Sequence, residues 1–412
     1  MGRTGLQNIA KKQFQGERIK ENRGGDRKSH LSQEKKDNVR KFIGKLRGSE
    51  SHYGRNKSKR IYLMAGLSIK KIHKIYNTNT TDELKVKLSM FRRIFVSEFN
   101  IGFKSPATDV CSYCTILNHK IKTYPSGSKE RNDVIIEKRI HKKRANAFYQ
   151  LMRQDVEDSI SYCFDLQQIQ PLPKAPVQEA YYLRQIGFYS FCIVDLKGLK
   201  PQFYCWSEEQ AGKGSTEISS ALLHFLLNTD FQSHTILRLF SDGCISQNKN
   251  NIVIRTIMYY LQTTRTSLKE IHMHFPNRGH SFLPADRVFG RAEKLLRNKP
   301  TIIAKEEYIE IFKELGQLYS LGQDWELKDT KDLKKFYKDL KNISNMKRIF
   351  FKVSEVNGKR SVRVRAMENF IYEGNETYEN LNKKSFTINM LNRMQPKTLP
   401  LSRSLSNEKR WM

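Results

Sequence analysis

Apolar and polar positions change period several times along this chain, and the changes mark out its elements. Ile160, Tyr162 and Phe164 alternate with other residues until Asp165 ends the run, the two-residue period of a strand. Ile186 to Val194 and Gln202 to Trp206 repeat that pattern on either side of Gly198, so they read as an antiparallel pair. Gly212 and Gly214 break it, and Ser215 or Thr216 caps a helix carrying Ile218, Ala221, Leu222 and Phe225 on one face. A buried type of strand, Thr235 to Phe240, runs into Asp242 and Gly243. A helix from Ile252 to Leu261, a strand from Ile271 to Phe275 and a helix from Asp286 to Arg297 complete the unit.

That order is β-β-β-α-β-α-β-α, with acids after the first and fourth strands and another at the start of the last helix. It is the ribonuclease H order, an α/β fold with a mixed five-stranded sheet and flanking helices. Carboxylates on neighbouring strand ends can bridge two divalent metals that clamp the attacking and leaving oxygens of a phosphodiester. Oxygen ligands suit two Mg²⁺ or Mn²⁺ ions. The predicted triad is Asp165, Asp242 and Asp286, with Asp195 and Glu293 as alternative acids. Asp195 also ends a strand, but taking it first leaves one strand instead of two before the helix at Ser215. Glu293 lies one heptad past Asp286 on the same helix face.

Several polar residues accompany the acids. Gln247, Asn248 and Lys249 follow the second acid and are candidate contacts to a phosphate or base edge; a polar surface turn is the plainer reading. Arg278 and Arg287 are candidate phosphate contacts, against solvated loop charges. His280 is placed near the metals to assist proton transfer, against a structural hydrogen bond. The prolines Pro171, Pro173 and Pro176 predict a loop across the mouth of the acidic site.

The phrases DVCSYC, FDLQQIQPLP, FSDGCISQNKN and RGHSFLPADRVFG resemble an uncharacterised group of transposon-derived animal proteins with a ribonuclease H-like, transposase-like domain. The resemblance covers roughly Arg23 to Trp325 and implies descent from a DNA-cutting enzyme. Transposases of this fold usually use Glu as the third acid, which keeps Glu293 beside Asp286.

Charge narrows the partners. With 74 Lys and Arg against 42 Asp and Glu, the 412-residue chain has a formal net charge of +32, which favours a polyanion and first of all DNA held by its phosphates. Met1 to Arg60 carries 18 basic against 6 acidic residues, so it reads as a basic, largely disordered arm that doubles as a nuclear import signal. One short helix is expected within it, from Val39, Phe42, Ile43 and Leu46. A second copy of the chain is a further candidate partner. No run of eighteen apolar residues occurs, so no membrane segment is expected. MGRTGLQNIAKKQF lacks the apolar core of a signal peptide, and six cysteines are too few for a disulfide framework, which fits a reducing interior. The phrase QAGKGST lacks the spacing of a phosphate-binding loop, so an ATPase is not expected.

The remaining segments flank the core. Residues 61–155 read as a helical region with candidate DNA-binding helices: Ser68 caps one, and a second opens at Thr80 with Leu84, Leu88, Phe91 and Phe95 in a stripe. A plain helical bundle explains the same pattern. Cys111 and Cys114 make half of a zinc site, which His119 and His141 are expected to complete; a reduced pair in a turn is the alternative. The ribonuclease H-like, catalytic-type domain takes 156–300. Residues 301–400 then supply a helical segment and a small basic β-module, a hairpin around Asn357-Gly358 with Arg363 and Arg365 on one face as candidate DNA contacts. Residues 401–412 are a tail. Two functions remain open: a metal-dependent DNA-cleaving transposase or nuclease, and a catalytically silent nucleic-acid-binding protein of the same fold.

Overall fold

A computed structural model describes residues 3–16, 29–46, 49–50, 61–63, 66–103, 110–177, 179, 185–356, 359–371, 377–383, 387, 390 and 395–401. The patch ENRGGDRK, the Asn357-Gly358 turn and the tail from residue 402 lie outside the described residues. The chain divides into two compact units, Met1–Asp109 and Val110–Met412.

The first unit holds helices α1 (Arg3–Phe14) and α2 (Ser29–Gly44), strands β1 (Ser49–Glu50) and β2 (Ile61–Leu63), helices α3 (Ile69–Thr78) and α4 (Leu88–Glu98), and strand β3 (Ile101–Phe103). Its core gathers Val39 and Ile43 of α2, Ile72 and Tyr76 of α3, and Phe91, Ile94 and Phe95 of α4. The expected helix within the arm is therefore part of a packed bundle, because its apolar stripe has α3 and α4 to bury against. The Arg40 guanidinium grips Glu98 at 2.6 and 2.8 Å, tying α2 to the end of α4. Ser68 caps α3 by accepting from Lys71 N at 3.3 Å. The second helix opens later than Thr80, at Leu88 behind a 3-10 turn, because the Asn77 amide binds both backbone groups of Val86 and holds that segment extended.

The second unit begins with α5 (Ser112–Thr123) and α6 (Lys129–Arg153). Strands β4 (Ser159–Leu166), β5 (Gln170–Leu172), β6 (Ile186–Asp195) and β7 (Pro201–Ser207) follow, then α7 (Ser215–Asn228), β8 (Ile236–Ser241), α8 (Asn251–Thr263), β9 (Glu270–His274), α9 (Pro284–Arg297), α10 (Lys305–Leu315), β10 (Gln317–Ser320), β11 (Arg348–Val356) and β12 (Lys359–Met367). One sheet takes them all in the order β10-β7-β6-β4-β8-β9-β11-β12, with β5 paired to β6. Strands β7, β6 and β4 form an antiparallel meander, whereas β8 and β9 run parallel to β4.

Three features correct the sequence reading. The terminal hairpin is not a separate module, because β11 pairs antiparallel with β9 and continues the central sheet. The proline run is only partly loop: Gln170 to Leu172 pair with Ile186 to Phe188, and Tyr308 Oη donates to Pro171 O at 2.7 Å. The helix after β7 is capped by Gly214 rather than Ser215 or Thr216, with Glu217 accepting from Gly212 N at 3.0 Å and Gly214 N at 2.9 Å.

The two faces of the sheet differ in chemistry. Tyr162, Phe164, Phe191, Ile193, Leu237 and Leu239 enter one apolar core with α7 and α8. The alternate residues of the same strands, Cys163, Asp165, Cys192 and Arg238, point to the other face, where α9 packs over β4 and β6. There Arg238 donates to Gln154 O at 2.7 Å and also to Leu151 O, tying the end of α6 to β8.

Candidate metal sites

The acidic site follows from strand register. In the parallel pair β4 and β8, Tyr162 lies beside Leu239 and Phe164 beside Ser241, so one step further sets Asp165 level with Asp242. Adjacent strands lie roughly 4.8 Å apart, which brings the two carboxylates into each other's field. The third acid comes from above: α9 starts over β4, with Ala285 N–H directed at the buried Cys163 thiol, and Asp286 is the next residue. Asp286 accepts from Leu283 N at 2.6 Å, closing the helix's first turn.

Electrostatics couples Asp165 to the other two. Burial, the Asp242 carboxylate and the Asp286 carboxylate, in that order, push the proton affinity of Asp165 well above the usual carboxylate range, and the Leu166 N–H only partly offsets them. Asp242 accepts from Asn248 Nδ2 at 2.6 Å and from Cys244 N at 3.2 Å. The opposite atom of that amide, Asn248 Oδ1, is buried without a hydrogen-bond partner, as are both amide atoms of Gln167 two residues past Asp165. Among the described residues no ion pair joins Asp165 or Asp242 to Lys249, Arg278 or Arg287. A Cβ on Gly243 would meet nothing within 4 Å, so the backbone beside Asp242 is open.

These groups fit a hard divalent cation: a buried carboxylate, Asp165, whose proton affinity its acidic neighbours raise, and a buried amide oxygen beside Asp242 that lacks a partner. They are not drawn to a point, however. Among the described residues only one group of three or more metal-ligating side chains has its atoms within 4.8 Å of one another, and it is not this one. Asp242 and Asp286 are each held by their own loop.

The other candidates disperse. Asp195 lies opposite Tyr162 rather than level with Asp165, and its carboxylate closes the β6–β7 turn through Lys197 N at 2.9 Å and Gly198 N at 2.8 Å. Glu293 is exposed, two helical turns past Asp286. Asn248 serves Asp242 instead of reaching solvent. Lys249 is buried, donating to Ser344 O at 2.7 Å with its ammonium 5.0 Å from the Phe275 ring centre, and burial lowers its pKa to about 8. It is therefore no phosphate contact. Gln247 is half-buried, its Nε2 3.4 Å from Lys213 O. Arg278, Arg287 and Arg363 are exposed and Arg365 is half-buried.

The group that does converge is Cys111, Cys114, His141 and His280. Cys111 opens α5, Cys114 stands in its first turn, and His141 lies on α6, which packs beside α5. Cys111 Sγ is 3.4 Å from His141 Nε2, Cys114 Sγ 3.5 Å from His280 Nε2, and the two Nε2 atoms are 3.0 Å apart. His119 is exposed on α5 and stands outside the group; His280 takes its place, and so does not serve the acids as a proton carrier. The reason is topological: His119 and Cys111 share a helix eight residues apart, over two turns, while the β9–α9 loop comes down onto the thiols. Burial lowers the pKa of His141, and burial together with Cys111 raises that of Cys114. Sequence spacing carried no sign of His280, which lies 166 residues from Cys114.

Residues 192–369 match a family model described as a domain of unknown function (DUF7869), a span that includes Asp242, His280 and Asp286 but not Asp165 or the cysteine pair. No curated protein matches the chain. Two solved structures are similar at a distance: NurA with manganese, at 11% identity over 61% of this chain and 49% of that one with a TM-score of 0.17, and NurA bound to dAMP and manganese, at 12% identity over 47% and 42% with a TM-score of 0.15. The chain thus spans half or less of those structures, and likeness at this level carries no argument about function.

Proposed function

We propose that the second unit is a ribonuclease H-like nuclease or transposase domain that cleaves DNA phosphodiesters with Mg²⁺ or Mn²⁺ at Asp165, Asp242 and Asp286. One observation carries this reading: Asp165 and Asp242 end level on adjacent parallel strands under the start of the helix that bears Asp286. The strand order third-second-first-fourth-fifth, with the second strand antiparallel to the rest, supports the same reading. So does the resemblance of the phrases around these acids to transposon-derived proteins.

Each side chain then has a role. Asp165 and Asp242 would together hold the ions, because they share one level of the sheet. Asn248 holds the Asp242 carboxylate in place through its 2.6 Å bond. Asp286 closes the site from the helix, and the Leu283 N–H fixes its rotamer. Divalent ions bound there would supply Lewis-acid stabilisation to the attacking and leaving oxygens. The net charge of +32 draws the DNA in through its phosphates.

A plasmid-nicking assay with Mg²⁺ or Mn²⁺ tests the reading. Asp242→Asn is expected to lower cleavage at least about 100-fold, since loss of a metal ligand removes several kcal/mol of transition-state stabilisation. Salt-sensitive DNA binding should stay intact. A wild type that binds DNA but never nicks it favours the second reading, a binding protein of the same fold, which the loose spacing of the carboxylates already suits.

A further inference from the structure

We infer that Cys111, Cys114, His141 and His280 form a structural zinc site whose task is to fix the β9–α9 loop and, through it, Asp286. The positioning role rests on the reading of Asp286 proposed above; the zinc site does not.

The geometry fits zinc. Around a tetrahedral zinc with bonds of about 2.3 Å to sulfur and 2.05 Å to nitrogen, sulfur and nitrogen stand about 3.6 Å apart and two nitrogens about 3.3 Å. Two of the four sulfur–nitrogen pairs stand 3.4 and 3.5 Å apart and the nitrogens 3.0 Å, short of those values by up to about 0.3 Å. Two thiolates and two imidazoles select zinc over Mg²⁺ or Mn²⁺, which prefer oxygen. Four protein ligands leave no open position, the arrangement of a structural rather than a catalytic ion. Asn277 Nδ2 lies 3.1 Å from His141 Nδ1; with the two amide atoms exchanged, the Asn277 oxygen would accept the Nδ1–H of a ring whose Nε2 holds the ion.

What the site holds is decided by where its ligands come from. Three belong to the α5–α6 pair, and the fourth to the loop between β9 and α9, only six residues before Asp286. That loop presses on the thiols: Gly279 has φ +79°, and a Cβ there would stand 2.6 Å from Cys111 Sγ. Only glycine lets the backbone come so near. Tyr149 Oη adds a bond to His280 O at 2.9 Å. From His280 the chain reaches Leu283, whose N–H holds the Asp286 carboxylate. The ion would add to the Tyr149 tie a bond from the His280 ring itself, six residues before the third acid.

The test uses the full chain purified under reducing conditions. The wild type and the control His119→Ala should each hold about one zinc, and His280→Ala should bind zinc at least 10-fold more weakly. Hydrogen exchange of residues 276–286 should speed up at least 10-fold in His280→Ala while that of β8 is unchanged, and His280→Cys should restore both zinc and protection. Titration with Mn²⁺ followed by electron paramagnetic resonance should show about 10-fold weaker binding in His280→Ala. Should that variant fail to fold, a zinc-selective chelator added to folded wild type gives the same exchange readout. Zinc held by His280→Ala at wild-type affinity overturns the site. Zinc lost with exchange unchanged, or with Mn²⁺ affinity unchanged, overturns the positioning role. A wild type that binds zinc but no Mn²⁺ overturns the nuclease reading alone, and the exchange result still decides the clamp.

Discussion

The two centres of the second unit differ in how far they are assembled. At the Cys/His centre four ligand atoms gather within 4.8 Å, whereas at the acidic centre three carboxylates face one another without converging. The donors account for the contrast. Thiols and neutral imidazoles carry no charge before the ion arrives, so packing and hydrogen bonds can bring them together. Carboxylates at neutral pH repel, and each is held back by a local backbone N–H: Leu166 for Asp165, Cys244 for Asp242, Leu283 for Asp286. A neutral centre can thus be read directly from convergence, and an anionic one only from register, face and perturbed proton affinity.

The comparison breaks most visibly if the acidic centre does not respond to divalent ions. An ion that binds only the folded protein adds about 2.7 kcal/mol at one hundred times its Kd. For a unit of this size that is a rise in Tm of about 5 °C. We expect Mn²⁺ to give such a rise in the wild type and little in Asp242→Asn, measured by calorimetry after zinc is already bound. An equal rise in both would place the ion elsewhere.

Acid titration sharpens the contrast further. Folding raises the pKa of Asp165, so between about pH 4 and its folded value the native state holds a proton that the unfolded chain has lost. Stability of the protein without added divalent ions therefore falls as pH rises through that window. Asp165→Asn removes the cost, so it should be more stable than wild type at pH 7, with the difference closing toward pH 4. Urea denaturation across that range checks the sign, and a variant less stable than wild type at pH 7 would mean that Asp165 is not crowded by like charge.

The strand ends that carry Asp165 and Asp242 were legible in the sequence, and the Cys/His group only in half. Alternation of Tyr162 and Phe164, and the run from Thr235 to Phe240, place Asp165 and Asp242 at strand ends, because a two-residue period fixes which face each residue takes. The placing of Asp286 followed from the helix periodicity after the last core strand. His280 could not be found that way, since it sits in an irregular loop whose approach to α5 depends on tertiary packing and on Gly279. The same limit explains Lys249 and Asn248: both read as polar surface, and both are buried by the chain that returns as residues 330–347 and by the neighbouring acid. The terminal hairpin was legible as a hairpin, but nothing local tells that its first strand completes the edge beside β9.

The smallest expected effect concerns the acid that the register sets aside. Asp195 stands three residues along the sheet from the level of Asp165, since Tyr162 is its partner and Cys192 is that of Asp165. Three residues of strand are about 10 Å, too far for a shared ion. Its two oxygens are already engaged by Lys197 N and Gly198 N, and a Cβ on Gly198 would come within 2.6 Å of its Oδ2, so the side chain is built into the turn. Asp195→Ala should therefore cost about 1 kcal/mol of stability, the worth of hydrogen bonds in a partly exposed turn. Its affinity for Mn²⁺ should match that of the wild type. A 10-fold loss of Mn²⁺ affinity with stability unchanged would make Asp195 a ligand and move the acidic centre three residues along the sheet, to the level of Tyr162.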